Sequence, residues 1–221
     1  MALAADHLEV KTVPVGMLAT QCYVLSLPGR DDCLVIDPGA EPEKIRRAMG
    51  EKQLAAILLT HGHFDHIGAV AALAGDNTPI WIHRLDAEML TNPARNLCRM
   101  IRAEVTAPPA TRLLEEGDRL EAAGVELTVL HTPGHTPGSV VLLCGEHLFC
   151  GDTLFAGSVG RTDLEGGSSA QMADSLRKLA QLPIPRETQV LPGHGEFSTF
   201  GAELDNNYYI RSALRGGNDI F

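Results

Sequence analysis

Apolar residues along the chain form short runs, and most runs stop abruptly at proline, glycine or a charged residue. Runs bounded by turn-forming residues are typical of strands, and apolar positions that recur every three or four residues are typical of helices. The predicted strands cover residues 8–15, 21–27, 33–37, 54–59, 80–82, 125–130, 139–144, 147–150 and 188–191. The predicted helices cover residues 41–49, 66–74, 84–102 (as one or two helices), 168–181 and 200–214. Early strands followed by strand–helix alternation predict an α/β protein with helices packed on the faces of a sheet.

The connections between these elements are short or turn-like. Gly145 and Glu146, between two predicted strands, predict a two-residue hairpin turn. The loosely patterned segment 103–113 predicts a surface loop rather than a domain boundary. Because no linker-like segment divides the chain, a single domain over residues 1–221 is predicted.

Four apolar runs end in a residue whose side chain can bind a metal ion. These runs are AAILLTHGH at 55–63, LTVLHTPGH at 127–135, HLFCGD at 147–152 and TQVLPGHG at 188–195. Ligands of layered α/β proteins gather beyond the carboxyl ends of strands. Four strands that each present a histidine or an aspartate at that end are therefore predicted to build one shared site.

The segment THGHFDH at 60–66 is the strongest chemical signal, because it places four metal-capable side chains within six residues. Residues i and i+2 of an extended segment point the same way, so His61 and His63 can converge on one ion. If a helix begins near Asp65, the chain turns there, and Asp65 and His66 face a second direction. The motif therefore predicts a metal site.

Taken singly, the other candidates have ordinary structural interpretations. An aspartate such as Asp65 can cap a helix, and an isolated histidine such as His135 or His194 is usually a satisfied polar group. Asp152 and Asp37 can be turn residues; alternatively, Asp152 bridges two cations and Asp37 orients a ligand histidine. Because the motif and both Pro-Gly-His segments all end apolar runs, the metal interpretation is favoured.

The remaining histidines carry weaker signals. His131 precedes His135 by four residues and ends the same predicted strand, so a role at the strand end or in support of a ligand is expected. His7, His83 and His147 stand in no such pattern and are expected to be structural or solvated.

Composition and charge narrow the functional class. The 221 residues include 18 basic and 28 acidic ones, a formal charge of −10, which argues against non-specific binding to nucleic acid or to an anionic membrane. Five cysteines without a CxxC pair suit a reducing compartment. The first ten residues lack the pattern of a signal peptide, and no apolar run is long enough to span a membrane. We therefore expect a cytoplasmic protein.

Four longer motifs extend over nearly the whole chain: THGHFDH (60–66), PGHTPGS (133–139), GDTLFAGSVGRTDL (151–164) and LPGHGEFSTFG (191–201). Together they resemble the metallo-β-lactamase superfamily, and GDTLF followed by GRTD is most similar to short members of its glyoxalase II branch. The resemblance implies a four-layer αβ/βα sandwich with the site at one edge. It implies that His61, His63 and His135 bind one divalent ion, that Asp65, His66 and His194 bind a second, and that Asp152 bridges them.

The resemblance also implies an activity. It is the hydrolysis of a small-molecule thioester such as S-lactoylglutathione by a hydroxide held between the two ions, with Asp65 and Asp152 as catalytic carboxylates. Zinc is the expected metal, and iron or manganese also fits these ligands. A thiol has a pKa of about 8.5, so a thiolate leaves without prior protonation, whereas a β-lactam amine needs a proton donor. No general acid stands out beyond the ligands, which favours a thioester over an amide.

Two departures from longer glyoxalase II members bear on the thiol. Only residues 196–221 follow Gly195, where those members carry an extra helical segment that helps hold glutathione. The loop after GDTLF has Arg161 and Asp163 and lacks the lysine and tyrosine of those members. Arg161 either replaces that lysine as an anchor for the substrate or forms a local ion pair with Asp163.

Other functional classes fit parts of the pattern. Persulfide dioxygenases share the GRTD loop and use one iron, whose corresponding ligands here are His61, His135 and Asp152. A nuclease of the same superfamily is disfavoured by the acidic balance and by the lack of an RNA-clamping insertion. The full ligand set disfavours a non-enzymatic metal-binding module. Metal content and oxygen consumption on glutathione persulfide distinguish the dioxygenase from the hydrolase, and the sequence predicts no particular oligomeric state.

Overall fold

Two six-stranded β-sheets face each other in the computed structural model, which describes residues 8–216. The first sheet contains, in spatial order, β1 (Glu9–Val15), β2 (Thr20–Ser26), β3 (Asp32–Ile36), β4 (Gln53–Leu58), β5 (Ile80–His83) and β6 (Arg112–Leu114). The second sheet contains, also in spatial order, β12 (Ser198–Thr199), β11 (Gln189–Pro192), β10 (His147–Gly151), β9 (Val140–Cys144), β8 (Val125–His131) and β7 (Arg119–Ala122). The predicted hairpin turn at Gly145 and Glu146 joins β9 to β10. His7 lies outside the described residues.

Helices cover the outer faces of both sheets. They are α1 (Pro42–Met49), α2 (Phe64–Ile67), α3 (Val70–Leu73), α4 (Ala87–Thr91), α5 (Ser169–Gln181), α6 (Phe200–Asn206), α7 (Tyr208–Leu214) and a 3₁₀ helix at Cys98–Ile101. None of the described helices is long and apolar enough to cross a membrane.

Apolar side chains join these elements in layers. Inward-facing residues of the two sheets, such as Leu34 and Phe149, pack against each other in one buried cluster. Outward-facing residues of the first sheet pack against side chains of α1 to α4, such as Ile45 of α1. Outward-facing residues of the second sheet pack against side chains of α5 to α7, such as Leu176 of α5. Helices, sheet, sheet and helices thus form the predicted four-layer αβ/βα sandwich.

Strand direction brings several strand ends to one edge of the molecule. β10 and β11 run parallel, and β8 and β10 are both antiparallel to β9, so β8, β10 and β11 share one direction. The carboxyl ends of these three strands therefore lie side by side. Thr60 follows β4 of the other sheet, and its carbonyl accepts a hydrogen bond from the amide of Val140 at 2.9 Å. The end of β4 consequently joins the same edge.

Two predicted helices are divided in the structure. The helix predicted at 66–74 becomes α2 and α3, because the amide of Ala69 donates to the carbonyl of Pro38 at 2.9 Å and the chain bends there. The helix predicted at 200–214 is divided at Asn207, whose side-chain oxygen caps the first turn of α7. In both places a polar contact replaces the continuous helix that the apolar spacing predicts.

The region after β5 contains less helix than predicted. Residues 84–102 hold only α4 and the short 3₁₀ helix. The buried side chain of Asn96 donates to the carbonyls of Met89 and Val105, at 3.0 and 2.8 Å, and so holds this segment as a loop. Residues 103–111 of the predicted loop are irregular, but Arg112 and Leu113, its last two residues, belong to β6. The strands β6 and β7 are short, and the apolar pattern does not indicate either of them.

Candidate metal centre

Seven side chains with metal-binding atoms meet at the edge where β4, β8, β10 and β11 end. Their donor atoms form three groups, each with atoms within 4.8 Å of one another: His61, His63 and His135; His61, His66 and Asp152; and Asp65, His66 and His194. The structure therefore brings together all the residues that the sequence predicts as ligands.

His61, His63 and His135 form the first donor set, and all three side chains are buried. Nδ1 of His63 lies 2.9 Å from Nε2 of His135, and the ring of His61 packs edge-on against both. Burial, reinforced by the neighbouring imidazole of His135, lowers the pKa of His63 to about 3. Burial and the surrounding imidazoles also lower the pKa of His61. His61 and His63 are therefore neutral at pH 7, the form in which histidine binds a metal ion.

Asp65, His66 and His194 form the second donor set. Oδ2 of Asp65 lies 3.5 Å from Nε2 of His66 and 3.2 Å from Nε2 of His194. Burial opposes ionisation of Asp65, but the imidazoles of His66 and His194 hold the pKa of its carboxyl below the usual range. This set thus offers one carboxylate and two imidazole nitrogens.

Asp152 stands between the two donor sets. Its Oδ1 lies 3.4 Å from Nε2 of His66, and its Oδ2 lies 3.5 Å from Nε2 of His135 and 3.6 Å from Nε2 of His194. Burial opposes ionisation here as well, but the imidazoles of His66 and His135 hold the pKa of Asp152 well below its usual range. One carboxylate therefore faces both sets.

Hydrogen bonds at Nδ1 fix the orientation of three of these histidines. The acceptors are Asp37 Oδ2 for His66 at 2.9 Å, the Arg161 carbonyl for His135 at 2.7 Å and the Leu18 carbonyl for His194 at 3.1 Å. Carboxylate and carbonyl oxygens only accept, so each Nδ1 carries the proton. Each Nε2, which faces the cluster, is then the atom that binds a metal ion.

Asp37 also orients His61, the fourth histidine to be fixed in this way, through Thr60. Its Oδ1 accepts from the amide of Thr60 at 2.8 Å, and its Oδ2 accepts from the Thr60 hydroxyl at 2.6 Å. Because that hydroxyl donates to Asp37, Thr60 Oγ1 accepts from Nδ1 of His61, 3.2 Å away. Asp37 thus holds His66 directly and His61 indirectly, which is the supporting role that the sequence leaves open for it.

Unpaired donor atoms show that the cluster fits a divalent metal. Nε2 of His61, Nε2 of His66 and Oδ1 of Asp152 are buried and have no hydrogen-bond partner among the described residues. Buried polar atoms are nearly always paired, and leaving one unpaired costs about 1–3 kcal/mol. A metal ion satisfies such atoms, and mixed imidazole and carboxylate ligands suit ions such as zinc or iron.

Arg161 contacts the cluster only through its backbone. Its guanidinium forms two hydrogen bonds of 2.7 Å to the carboxylate of Asp163, and both side chains are exposed. The local ion pair that the sequence allows is therefore present. The role of Arg161 as an anchor for the substrate stays a prediction.

The histidines outside the cluster have structural surroundings. The ring of His131 stacks on that of His83, with centroids 4.0 Å apart, and Nε2 of His131 lies 2.9 Å from the carbonyl of Pro137. His131 thereby supports the loop that carries His135. His147 is partly buried and stacks against Phe149.

Thr20, the buried first residue of β2, also supports the cluster, and no sequence pattern marks it. Its hydroxyl donates to Oδ2 of Asp65 at 3.0 Å. The next amide, that of Gln21, donates to the carbonyl of Gly193 at 2.7 Å, directly before His194. The β1–β2 hairpin thus holds two parts of the second donor set. Thr20 and Asp65 are 45 residues apart in the sequence.

Thr20→Val is expected to weaken zinc binding by the second donor set about 10-fold, because it removes the hydroxyl that orients Asp65 while nearly preserving side-chain volume. Competition with a chromophoric chelator measures the affinity. Thr20→Ser keeps the hydroxyl and should bind zinc like the wild type. Equal affinities for Thr20→Val and the wild type would contradict this role.

Comparison with known proteins places the chain in a family. The Metallo-beta-lactamase superfamily matches residues 15–194. The probable metallo-hydrolase YqgX of Bacillus subtilis (strain 168) is 38% identical over 206 residues, which cover 90% of this chain and 96% of that protein. Hydroxyacylglutathione hydrolase GloC of Haemophilus influenzae is 30% identical over 212 residues, which cover 93% of this chain and 99% of that protein.

Solved structures agree. The BLEG-1 B3 metallo-beta-lactamase has a TM-score of 0.85 at 36% identity, covering 91% of this chain and 99% of its own. TTHA1623 in a di-iron-bound form has a TM-score of 0.78 at 40% identity, and the match covers 90% of this chain and 98% of that one. ETHE1 from Myxococcus xanthus has a TM-score of 0.71 at 26% identity, and the match covers 93% of this chain and 90% of that one. By sequence and by fold, the chain belongs to the metallo-β-lactamase superfamily.

Proposed function

We propose that this protein is a two-metal hydrolase that cleaves thioesters, with S-lactoylglutathione as the first substrate to test. The position of Asp152 carries the proposal, because its carboxylate lies within 3.4–3.6 Å of imidazoles from both donor sets. A carboxylate shared in this way is suited to bridging two cations. His61, His63 and His135 would hold one ion, and Asp65, His66 and His194 would hold the other.

The charges around the cluster support two divalent ions. Four carboxylates lie in or beside it: Asp37, Asp65, Asp152 and Asp86, which accepts a hydrogen bond from the amide of Gly62 at 3.1 Å. None of the four has a lysine or arginine within ion-pair distance in the described part of the chain. Buried carboxylates need compensating positive charge. Two divalent cations would offset the charge of the four carboxylates, and a bound hydroxide would add one further negative charge.

Divalent ions bound by these residues would supply a hydroxide at neutral pH and would polarise the carbonyl of the substrate. The chain contributes the geometry and the carboxylates. Asp65 and Asp152 have side-chain exposures of 14% and 12%, whereas Asp37 is at 1% and Asp86 is fully buried. Asp65 and Asp152 are thus the acidic groups of the cluster that a substrate can reach. We propose zinc as the metal, with iron as the alternative that the di-iron-bound relative suggests.

The leaving group favours a thioester as the substrate. A thiolate leaves without prior protonation, whereas an amide nitrogen needs a general acid, which contributes about 10²–10⁴-fold to the rate. The likeness to a hydroxyacylglutathione hydrolase over almost all of both chains supports the same substrate class. The likeness to a B3 metallo-beta-lactamase makes a β-lactam the informative competitor.

A comparison of substrates tests this proposal. With zinc in excess, kcat/KM for S-lactoylglutathione should exceed that for a chromogenic cephalosporin by at least about 100-fold, since only the thioester has a leaving group that needs no acid. A thioester of a different thiol, such as N-acetylcysteamine, shows whether the glutathione portion contributes. A preference for the β-lactam would reject the thioester assignment.

Arg161 is the predicted contact for the anionic thiol portion of the substrate. Its ion pair with Asp163 is exposed and therefore weak, so an anionic substrate can replace Asp163. Arg161→Ala should raise KM for S-lactoylglutathione about 10-fold and leave kcat nearly unchanged, because the contact is equally strong in the ground and transition states. Arg211→Ala, on α7, is the control. Unchanged KM for Arg161→Ala would leave Arg161 with only its local ion pair.

A persulfide dioxygenase is the second candidate. The likeness to ETHE1 covers 93% of this chain, and the corresponding iron ligands, His61, His135 and Asp152, are all present in the cluster. Oxygen uptake on glutathione persulfide by the iron-loaded protein would favour this candidate. Its absence, together with hydrolysis of the thioester, would favour the hydrolase.

A further inference from the structure

Asp86 stands before α4 as its N-cap residue, but its side chain does not cap the helix. The carboxylate is fully buried and accepts three hydrogen bonds instead. These come from the amide of Gly62 at 3.1 Å, the amide of Gly138 at 2.7 Å and the hydroxyl of Thr136 at 2.7 Å. All three partners donate, so Asp86 acts only as an acceptor, as an ionised carboxylate does.

The three donors flank the first donor set. Gly62 lies between His61 and His63, whereas Thr136 and Gly138 directly follow His135. One buried carboxylate thus joins the two loops, which are more than 70 residues apart in the chain, at the point where their histidines meet. The contact is close, because a Cβ atom added at Gly138 would lie only 2.5 Å from Oδ1 of Asp86.

We propose that Asp86 is the positioning residue of the first donor set: it fixes the two loops that carry His61, His63 and His135 at the separation needed to bind a metal ion. This inference rests on the proposed two-metal site. Asp37 supports His66 and reaches His61 only through Thr60. Asp37 therefore supports the second donor set directly and the first only through Thr60, whereas Asp86 contacts only the loops of the first set.

The proposal predicts a selective loss of metal affinity. Asp86→Ala should weaken zinc binding by the first donor set about 10–100-fold, the usual effect of removing a group that orients metal ligands, and leave the second set closer to its wild-type affinity. Asp37→Ala should weaken zinc binding by the second donor set more than by the first. Chelator competition measures the two affinities, and the visible absorption spectrum of the cobalt-loaded protein reports which set is changed.

Hydrogen exchange on the metal-free full chain provides a readout that is independent of activity. The amides of Gly62 and Gly138 should be protected in the wild type and should exchange faster in Asp86→Ala, while the amide of Thr60, which donates to Asp37, stays protected. Because Asp86→Ala removes three hydrogen bonds and can impair folding, Thr136→Val provides a milder test. Thr136→Val should lower the zinc affinity of the first donor set several-fold, and Thr136→Ser should retain the wild-type affinity.

Two outcomes separate the failure of this inference from failure of the proposed function. If the wild type binds two zinc ions and hydrolyses the thioester, but Asp86→Ala and Thr136→Val keep both affinities and the protected amides, the positioning role of Asp86 is rejected and the function stands. If the wild type itself binds fewer than two ions, the proposed two-metal site is rejected.

Discussion

Asp152→Asn is expected to lower kcat/KM for S-lactoylglutathione by about 10³-fold or more and to reduce the metal content below two ions per chain. The substitution keeps the shape of the side chain but removes the charge that faces both donor sets. It also leaves the buried imidazoles of His66 and His135 without their shared carboxylate. Loss of one preorganised charged group from an active site typically costs about 10²–10³-fold, and loss of a metal ligand adds to that.

Elemental analysis and steady-state kinetics on the same preparation test this expectation. Asp174→Asn removes an exposed carboxylate on α5 and serves as the control, with unchanged metal content and activity. If Asp152→Asn retained two ions and wild-type hydrolysis, Asp152 would be needed neither to hold the ions nor for catalysis, and its proposed role would be rejected.

Gly193→Ala is expected to have the second largest effect. A Cβ atom at this position would lie 2.3 Å from Oδ1 of Asp152 and 2.8 Å from Cε1 of His66. The backbone cannot move away easily, because the Gly193 amide donates to the carbonyl of Gly151 and its carbonyl accepts from the amide of Gln21, each at 2.7 Å. The added methyl group must therefore displace the ligands themselves. We expect activity to fall at least about 100-fold, since displacements of about 1 Å cost that much.

Gly195→Ala is the matched control, two residues further along the same loop. A Cβ atom there meets no atom within 4 Å, although the φ of +81° makes alanine unfavourable. This variant should lose about 1–2 kcal/mol of stability and keep its metal ions. Thermal unfolding and metal analysis distinguish the two variants. If both lost metal equally, loop strain rather than the collision at Gly193 would explain the effect.

The seven clustered residues were predictable from the sequence because their placement follows from local rules. The i, i+2 spacing of His61 and His63 and the position of Asp152 after a buried strand require only the periodicity of a strand. The shared edge follows from strand direction, which alternation of strands and helices favours. The α/β class was predictable for the same reason, since it depends on apolar periodicity over whole elements, whereas the four-layer arrangement was implied by the family resemblance.

The contacts that support the ligands were not predictable, because they join distant segments. Thr20 and Asp65 are 45 residues apart, and Asp86 and Gly138 are 52 residues apart. The division of the last predicted helix has a similar cause, since the side chain of Asn207 also donates to the carbonyl of Ser158 at 3.0 Å, 49 residues away. Polar side chains of this kind have no periodic pattern until the fold brings their partners close.

Titration of the metal-free protein with zinc, with S-lactoylglutathione hydrolysis recorded at each step, tests the central claim most directly. A two-metal thioester hydrolase predicts that activity rises until two zinc ions are bound per chain and then stays constant. A protein that gave no hydrolysis with zinc, and in which a single iron per chain instead supported oxygen uptake on glutathione persulfide, would contradict this assignment.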